Sequence, residues 1–251
     1  MMQKLIVRFM FSIVLLAASA EAALIHSYNF DVDASDSTGS ADGALLNGAS
    51  VSGGVLTLDG TNDYVQFAAG LVPSSGSWTI LMRAVQPVSQ IGSYVELFSQ
   101  GSSLYLGHDN AGPPKVRVAN WGSPGNTAFP QDTLWHDYAL VSDSTAGNTK
   151  FYLDGALMGT LNTLAISPGA GDTTRLGRQH TGFAEYFGGS MDDVYVYDSA
   201  LSASEVALYS LSASPVPIPG ALWLFASALG MLGWMRRRRP QMMTQLCLGR
   251  N

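Results

Sequence analysis

Phe187-Gly188-Gly189-Ser190-Met191-Asp192-Asp193-Val194-Tyr195-Val196-Tyr197 ends in a strand, Met191 to Tyr197, rich in β-branched and aromatic residues. Side chains alternate across a strand. Asp192, Val194 and Val196 are therefore expected on one face, and Met191, Asp193, Tyr195 and Tyr197 on the other. A carboxylate sharing a face with two valines needs a partner, because burying it bare is costly. Ser199-Ala200-Leu201-Ser202 follows, and Ser202-Ala203-Ser204-Glu205 is a capping box that opens a helix of about two turns through Leu211.

Working outward, the same texture of short apolar runs between turn formers fills the chain. The runs are Leu24 to Phe30, Val55 to Leu58, Tyr64 to Phe67, Trp78 to Val85, Tyr94 to Ser99 and Leu104 to Leu106. Val116 to Val118, Trp135 to Val141, Phe151 to Leu153 and Arg175 to Gly177 continue the series. Asp154-Gly155 is a hairpin turn, since both residues accept positive φ. Regular short strands with glycine-rich turns predict an all-β sandwich or barrel. Asp31 to Gly54 and Gly122 to Thr133 read as long polar loops, where binding residues usually sit on such a scaffold.

Both ends read as targeting segments. Residues 1–22 carry Lys4 and Arg8, an apolar run from Phe9 to Ala18, and Ala20-Glu21-Ala22 as a cleavage site with Ala18-Ser19-Ala20 as the second choice, the order of a signal peptide. Residues 212–219 form a proline linker with Val216-Pro217-Ile218-Pro219. Residues 218–235 hold no charge, and as a helix would run roughly 27 Å, close to a bilayer core of about 30 Å. Arg236, Arg237, Arg238 and Arg239 open a basic tail, residues 236–251, expected on the cytoplasmic side. One domain, residues 23–211, remains between these ends, long enough for a sizeable core. Its six cations face eighteen Asp and Glu, a charge near −12, which excludes a phosphate-neutralising nucleic-acid interface. The single cysteine, Cys247, lies in the tail, so thiol catalysis and thiolate metal centres are excluded from the domain.

Four segments in order resemble the laminin-G-like, concanavalin A-like jelly-roll family: Leu56-Thr57-Leu58-Asp59-Gly60-Thr61-Asn62-Asp63-Tyr64-Val65, Trp135-His136-Asp137-Tyr138-Ala139-Leu140-Val141, Phe151-Tyr152-Leu153-Asp154-Gly155, and Phe187 to Tyr197. The resemblance implies two antiparallel sheets of six or seven strands, one of them concave. It makes His136, part of the second motif, a hydrogen-bonded structural histidine. Glucanases of this fold carry Glu-x-Asp-x-x-Glu on one strand. Here Glu96, Glu185 and Glu205 are scattered, so a non-catalytic domain is expected. Related jelly rolls bind calcium through an Asp in the last strand with main-chain oxygens from early segments. Asp192, with Asp31 and Gly60, is thereby implied as a structural Ca2+ site.

Function is expected to be binding, with extracellular polysaccharide as the ligand class. Trp121, Asn120, Asp109, Asn110, Arg178 and Gln179 are the candidate contacts, and Trp78, Tyr105 and Tyr186 further aromatics, of which Trp78 reads as core. A structural or adhesive matrix protein is the alternative class, and a glycoside hydrolase the third. The tail, with its proline motif, apolar span and arginine cluster, resembles the PEP-CTERM sorting signal of Gram-negative bacteria in its VPLPA variant. That resemblance implies export through the Sec translocon, a membrane-anchored stage, processing by an exosortase, and release to the envelope or extracellular matrix. The chain departs from it in running on from Pro240 to Asn251.

Overall fold

Alternating apolar and polar residues lay the chain down as antiparallel strands. In the computed structural model, which describes residues 22–90, 93–109, 115–118, 130, 132–161, 166–180, 182–183 and 185–211, they stack as two sheets. The strands are β1 (Leu24–Tyr28), β2 (Gly43–Leu46), β3 (Ser50–Ser52), β4 (Val55–Asp59), β5 (Tyr64–Phe67), β6 (Trp78–Val85) and β7 (Val95–Gln100). They continue as β8 (Leu104–Asp109), β9 (Lys115–Val118), β10 (His136–Asp143), β11 (Asn148–Leu153), β12 (Ala156–Leu161), β13 (Thr174–Leu176) and β14 (Gly188–Tyr197), and helix α1 (Ala203–Leu211) follows. One sheet runs β12-β11-β10-β6-β14-β4-β3, with β1 also paired to β14. The other runs β2-β5-β13-β7-β8-β9. The chain passes from sheet to sheet at β4, β5, β6 and β7, so the apolar faces meet in one core. Leu56, Phe67, Ile80, Met82, Phe98, Phe151 and Val194 are all fully buried there. Each such side chain is worth about 1.5–3 kcal/mol against exposure. Trp78 is core as expected, its indole N–H donating to Ile166 O at 2.8 Å.

The Asp154-Gly155 turn joins β11 to β12 with φ of 49° and 76°, the two positive values of a type I′ hairpin. The capping box also forms. Ser202 N–H donates to the Glu205 carboxylate at 2.6 Å, and Glu205 N–H donates back to Ser202 Oγ at 3.3 Å.

Three expectations change. The segment from Asp31 to Gly54 is not all loop, because β2 and β3 lie inside it; both are short and poor in β-branched residues, so little marks them. One sheet has eight strands instead of six or seven. The reason is that one edge of β14 takes two short strands end to end, β4 along Gly188–Met191 and β1 along Val194–Tyr197. The third concerns β14 itself. Asp192 stands opposite Arg83 and Tyr195 opposite Leu81, so β14 spends one residue more than β6, and Asp193 takes up the excess with φ of 53°. This bulge reverses the alternation. Met191, Val194 and Val196 together enter the core, while Asp192 stays outward beside Arg83, and Tyr195 and Tyr197 pack outward. Asp192 therefore does not share a face with the two valines.

The outward side of the eight-stranded sheet is covered. Leu81, Ala139, Val141, Tyr152 and Tyr195 pack under Leu201, Val206 and Tyr209 of α1 and its approach. Among the described residues no helix is long and apolar enough to cross a membrane. Residues 1–21 and 212–251, which hold most of the signal peptide, the sorting motif, the span and the arginines, lie outside the described residues.

Candidate functional site

The six-stranded sheet presents its outward side differently. Val65 and Phe67 of β5 enter the core, so Tyr64 and Gln66 point out; Leu176 of β13 does the same for Arg175. Arg175 lies opposite Gln66 on one side and Ser99 on the other. Its Nε donates to Gln66 Oε1 at 2.8 Å, and Nη1 donates to the carbonyls of Gln179 and His180 at 3.1 and 2.8 Å. The guanidinium thus ties down the loop that leaves β13. That loop is closed at its base by Gly177 N–H to Leu97 O (2.9 Å) and Phe187 N–H to Gly177 O (3.0 Å). Arg178, the first loop residue, lies over the rings of Tyr64 and Tyr186 at 4.9 and 5.2 Å, and Arg175 lies 5.6 Å from Tyr64. The two tyrosines are 6.5 Å apart and tilted. Burial, and then the neighbouring Arg178, hold the Arg175 pKa below its usual value; burial and Arg175 do the same to His180.

The far end of the face is built around Gly107. Glu96 of β7 and Arg117 of β9 stand opposite it from either side. A Cβ on Gly107 would lie 2.2 Å from Val95 O and 2.8 Å from Glu96 Oε1. With no side chain there, Arg117 reaches across to Glu96 and also meets Glu185. Arg117 sits 5.8 Å from the rings of both Tyr94 and Tyr105. Burial pushes the Glu96 carboxyl up and Arg117 pulls it back. The two glutamates that sequence spacing leaves far apart are thus brought onto one guanidinium. Glu96 is fully buried, which makes the trio an internal ion cluster.

Of the residues expected to contact ligand, Arg178 joins this face. Gln179 follows it but is buried at 2 % exposure and uses its carbonyl to hold Arg175. Asp109 ends β8 opposite Lys115. Asn110, Asn120 and Trp121 lie outside the described residues. Tyr186 is on the face and Tyr105 is buried beneath it. Sequence reasoning missed Tyr64, Gln66 and Arg175. The signal was present in the alternation of Tyr64-Val65-Gln66-Phe67 and Thr174-Arg175-Leu176, whose polar members must face away from the core.

The expected metal residues are only partly gathered. Asp31 is exposed, accepts from Asn29 Nδ2 at 2.5 Å, and is close enough to Asp192 and Asp193 to raise both carboxyls. Burial, then Asp193, pushes Asp192 up to about 6. Gly60 instead packs on Gly188 at the start of β14, four residues and roughly 13 Å from Asp192. Among the described residues no group of three or more His, Cys, Asp or Glu is placed to hold a metal ion. His136 is held by Asp154 at 2.8 Å and Asp132 at 2.9 Å, the structural role expected of it.

Asp36 is an unanticipated hub in the segment after β1. Its buried carboxylate accepts N–H bonds from Ser27 (3.0 Å), Thr38 (3.1 Å), Gly39 (2.9 Å) and Ala41 (3.2 Å), and meets His26 Nδ1 at 2.6 Å. Burial alone would raise its pKa, but the Gly39 N–H, the His26 ring and the Ser27 and Thr38 N–H groups outweigh burial and hold it at about 2.

The sandwich has solved counterparts. Domain 4 of an extracellular GH43 arabinanase from Geobacillus stearothermophilus, in complex with arabinotriose, superposes with a TM-score of 0.61 at 22 % identity, over 75 % of this chain and 98 % of that one. The ligand-binding domain of botulinum neurotoxin serotype D, in complex with N-acetylneuraminic acid, gives 0.54 at 13 % identity over 75 % of this chain. The binding domain of botulinum neurotoxin DC, in complex with SialylT, gives 0.56 at 12 % over 76 %. The match spans half the length of each neurotoxin domain. At these identities the likeness is one of fold. No curated protein sequence matches the chain. The sequence profile of the laminin-G-type family described as the concanavalin A-like lectin/glucanases superfamily covers residues 59–207, more than half the chain, and the protein belongs to that family.

Proposed function

We propose that the domain is an exported, non-catalytic carbohydrate-binding module that uses the open face of its six-stranded sheet. One observation carries the reading: among the described residues, this outward sheet face and not the other leaves a row of aromatic and hydrogen-bonding side chains, Tyr64, Gln66, Arg175, Arg178 and Tyr186, half-buried and without a helix over them. Tyrosine rings and the guanidinium planes laid over them offer flat surfaces flanked by hydrogen-bonding groups, which suits a sugar ring, whose faces are apolar and whose rim is hydroxylated. Family membership and counterparts solved with arabinotriose and N-acetylneuraminic acid support the ligand class. A glycan array probed with the detergent-solubilised full chain tests it. Binding that drops at least about tenfold in Tyr64→Ala is expected. Array binding unchanged in Tyr64→Ala and Tyr186→Ala would place the ligand elsewhere.

The same proposal includes the route. The signal peptide directs Sec export, the 218–235 span holds the protein in the membrane, and an exosortase acts near Val216 to Pro219. Mass spectrometry of envelope and secreted fractions checks this; a mature protein that retains Arg236 to Arg239 would make the span an ordinary anchor. A structural Ca2+ at Asp192 and Asp31 belongs to the proposal as a stabiliser of the gap between β1 and β4. A hydrolase is the second reading, favoured only by Glu96 and Glu185 converging on Arg117. Detectable release of reducing sugar, lost in Glu185→Gln, would favour it.

A further inference from the structure

We infer that the open face selects an anionic sugar, with the Arg175–Arg178 pair receiving a carboxylate or sulfate group on the ring. The inference rests on the carbohydrate-binding reading above and adds the charge of the ligand. In a domain with three acids for every cation, arginines are expected to find acids. Arg83 faces Asp137 at 3.6 Å, and Arg117 bridges Glu96 and Glu185. Arg175 and Arg178 form no salt bridge among the described residues. Both instead lie within 6 Å of the Tyr64 ring, and Arg178 makes the charge on Arg175 less favourable. The bonds of Arg175 go to neutral oxygens, those of Gln66, Gln179 and His180. Arg178 Nε, like that of Arg83, is buried with no hydrogen-bond partner among the described residues.

Two guanidinium groups on one ring, one fixed by loop carbonyls and a glutamine and neither in a salt bridge among the described residues, form a receptor for a group with two acceptor oxygens and a negative charge. A neutral hydroxyl satisfies a donor but leaves the paired charge uncompensated. The surrounding acidic surface opposes a polyanion only weakly, because at physiological ionic strength charges beyond about 8 Å are screened, whereas the arginines act at contact.

The test compares acidic sugars with uncharged counterparts. The detergent-solubilised full chain is titrated with galacturonate oligomers, their methyl esters, neutral galactan oligomers and sulfated galactan oligomers. The galacturonates are expected to bind at least about tenfold more tightly than their esters, with affinity falling as salt rises. Preference for the sulfated over the carboxylated series would assign the group as sulfate, and the reverse as carboxylate. In Arg178→Gln the ratio of acid to ester affinity should collapse towards one with an unchanged melting temperature; Arg175→Gln repeats the measurement for the residue that also holds the loop. Equal binding of acids, esters and neutral oligomers would overturn the charge inference and leave the carbohydrate reading standing. Inorganic sulfate competing as well as the sugars would overturn it by showing an anion site indifferent to the ring. No binding to any oligomer here or on the array would overturn both readings together.

Discussion

The two outward faces of the sandwich follow the same alternation and end in opposite states. On the eight-stranded sheet the outward residues are Leu81, Ala139, Val141, Tyr152 and Tyr195, and α1 closes over them. On the six-stranded sheet they are Tyr64, Gln66, Arg175 and Arg117, and the space is taken by salt links and a loop instead of a helix. An apolar outer face can be completed by the chain itself, since any amphipathic helix will cover it. A face of rings and guanidinium groups is completed only by partners of matching chemistry. The Arg117 end finds these internally, in Glu96 and Glu185; among the described residues the Arg175–Arg178 end does not.

The sharpest way to break this contrast is Arg117→Ala. It strands two carboxylates, one fully buried, and a loss of about 3–5 kcal/mol is expected in chemical denaturation. A cost under 1 kcal/mol would mean that the cluster is wet and belongs to the open part of the face. Asp36→Asn comes next, because Asp36 joins β1 of one sheet to the approach of β2 in the other. A folded pKa of about 2 against an ordinary value near 3.8 corresponds to about 2 kcal/mol. Its sign is that of a depressed carboxyl, so this stability is complete above about pH 4 and is lost as pH falls towards 2. Val206→Ala then probes the covered face. Removing buried methyl groups under α1 should cost about 1–2 kcal/mol, while Tyr64→Ala on the open face should change stability by no more than roughly 0.5 kcal/mol. Equal costs for the two would erase the distinction between the faces.

The smallest expected effect lies at the rim of the covered face. Burial raises Asp137 and Asp192 to about 6, in each case as the largest cause. Raised carboxyls stabilise most below the unfolded pKa, and that contribution fades as pH rises through about 6. Together with Asp36 this puts the maximum in melting temperature near pH 4, with a decline from there to about pH 6. Calcium at pH 7 should recover a few degrees if it sits at Asp192. A melting curve that climbs steadily from pH 5 to 8, or that calcium and chelator leave alone, would count against these carboxyls and the metal respectively.

Much of the sandwich was legible because its determinants are local. Period-two alternation, Asp154-Gly155 and the Ser202–Glu205 box each declare themselves within a few residues, and each formed. What was not legible depends on pairing. The bulge at Asp193 is visible only against the register of β6, and it moved Asp192 to the other face. Glu96 and Glu185 are 89 positions apart and meet only because Gly107 lets Arg117 through. The open face escaped notice for a different reason. Its residues were sought among loop aromatics, whereas Tyr64, Gln66 and Arg175 are the outward members of strands whose inward members were already counted as core.

The pairing of β1 with β14 ties the two ends of the domain together. Leu24 lies opposite Tyr197, and Ala23 and Asp198 exchange N–H bonds to a carboxylate and a carbonyl at 3.1 Å. The same strand, β14, also carries β4 and Thr79 to Val85 of β6. Three strands made early therefore wait for one made last, and the closing contact spans nearly the whole domain. Such distant closure is entropically expensive and slow. The eight-stranded sheet therefore cannot be completed until β14, the last strand of the domain, takes its place between strands that precede it by more than a hundred residues.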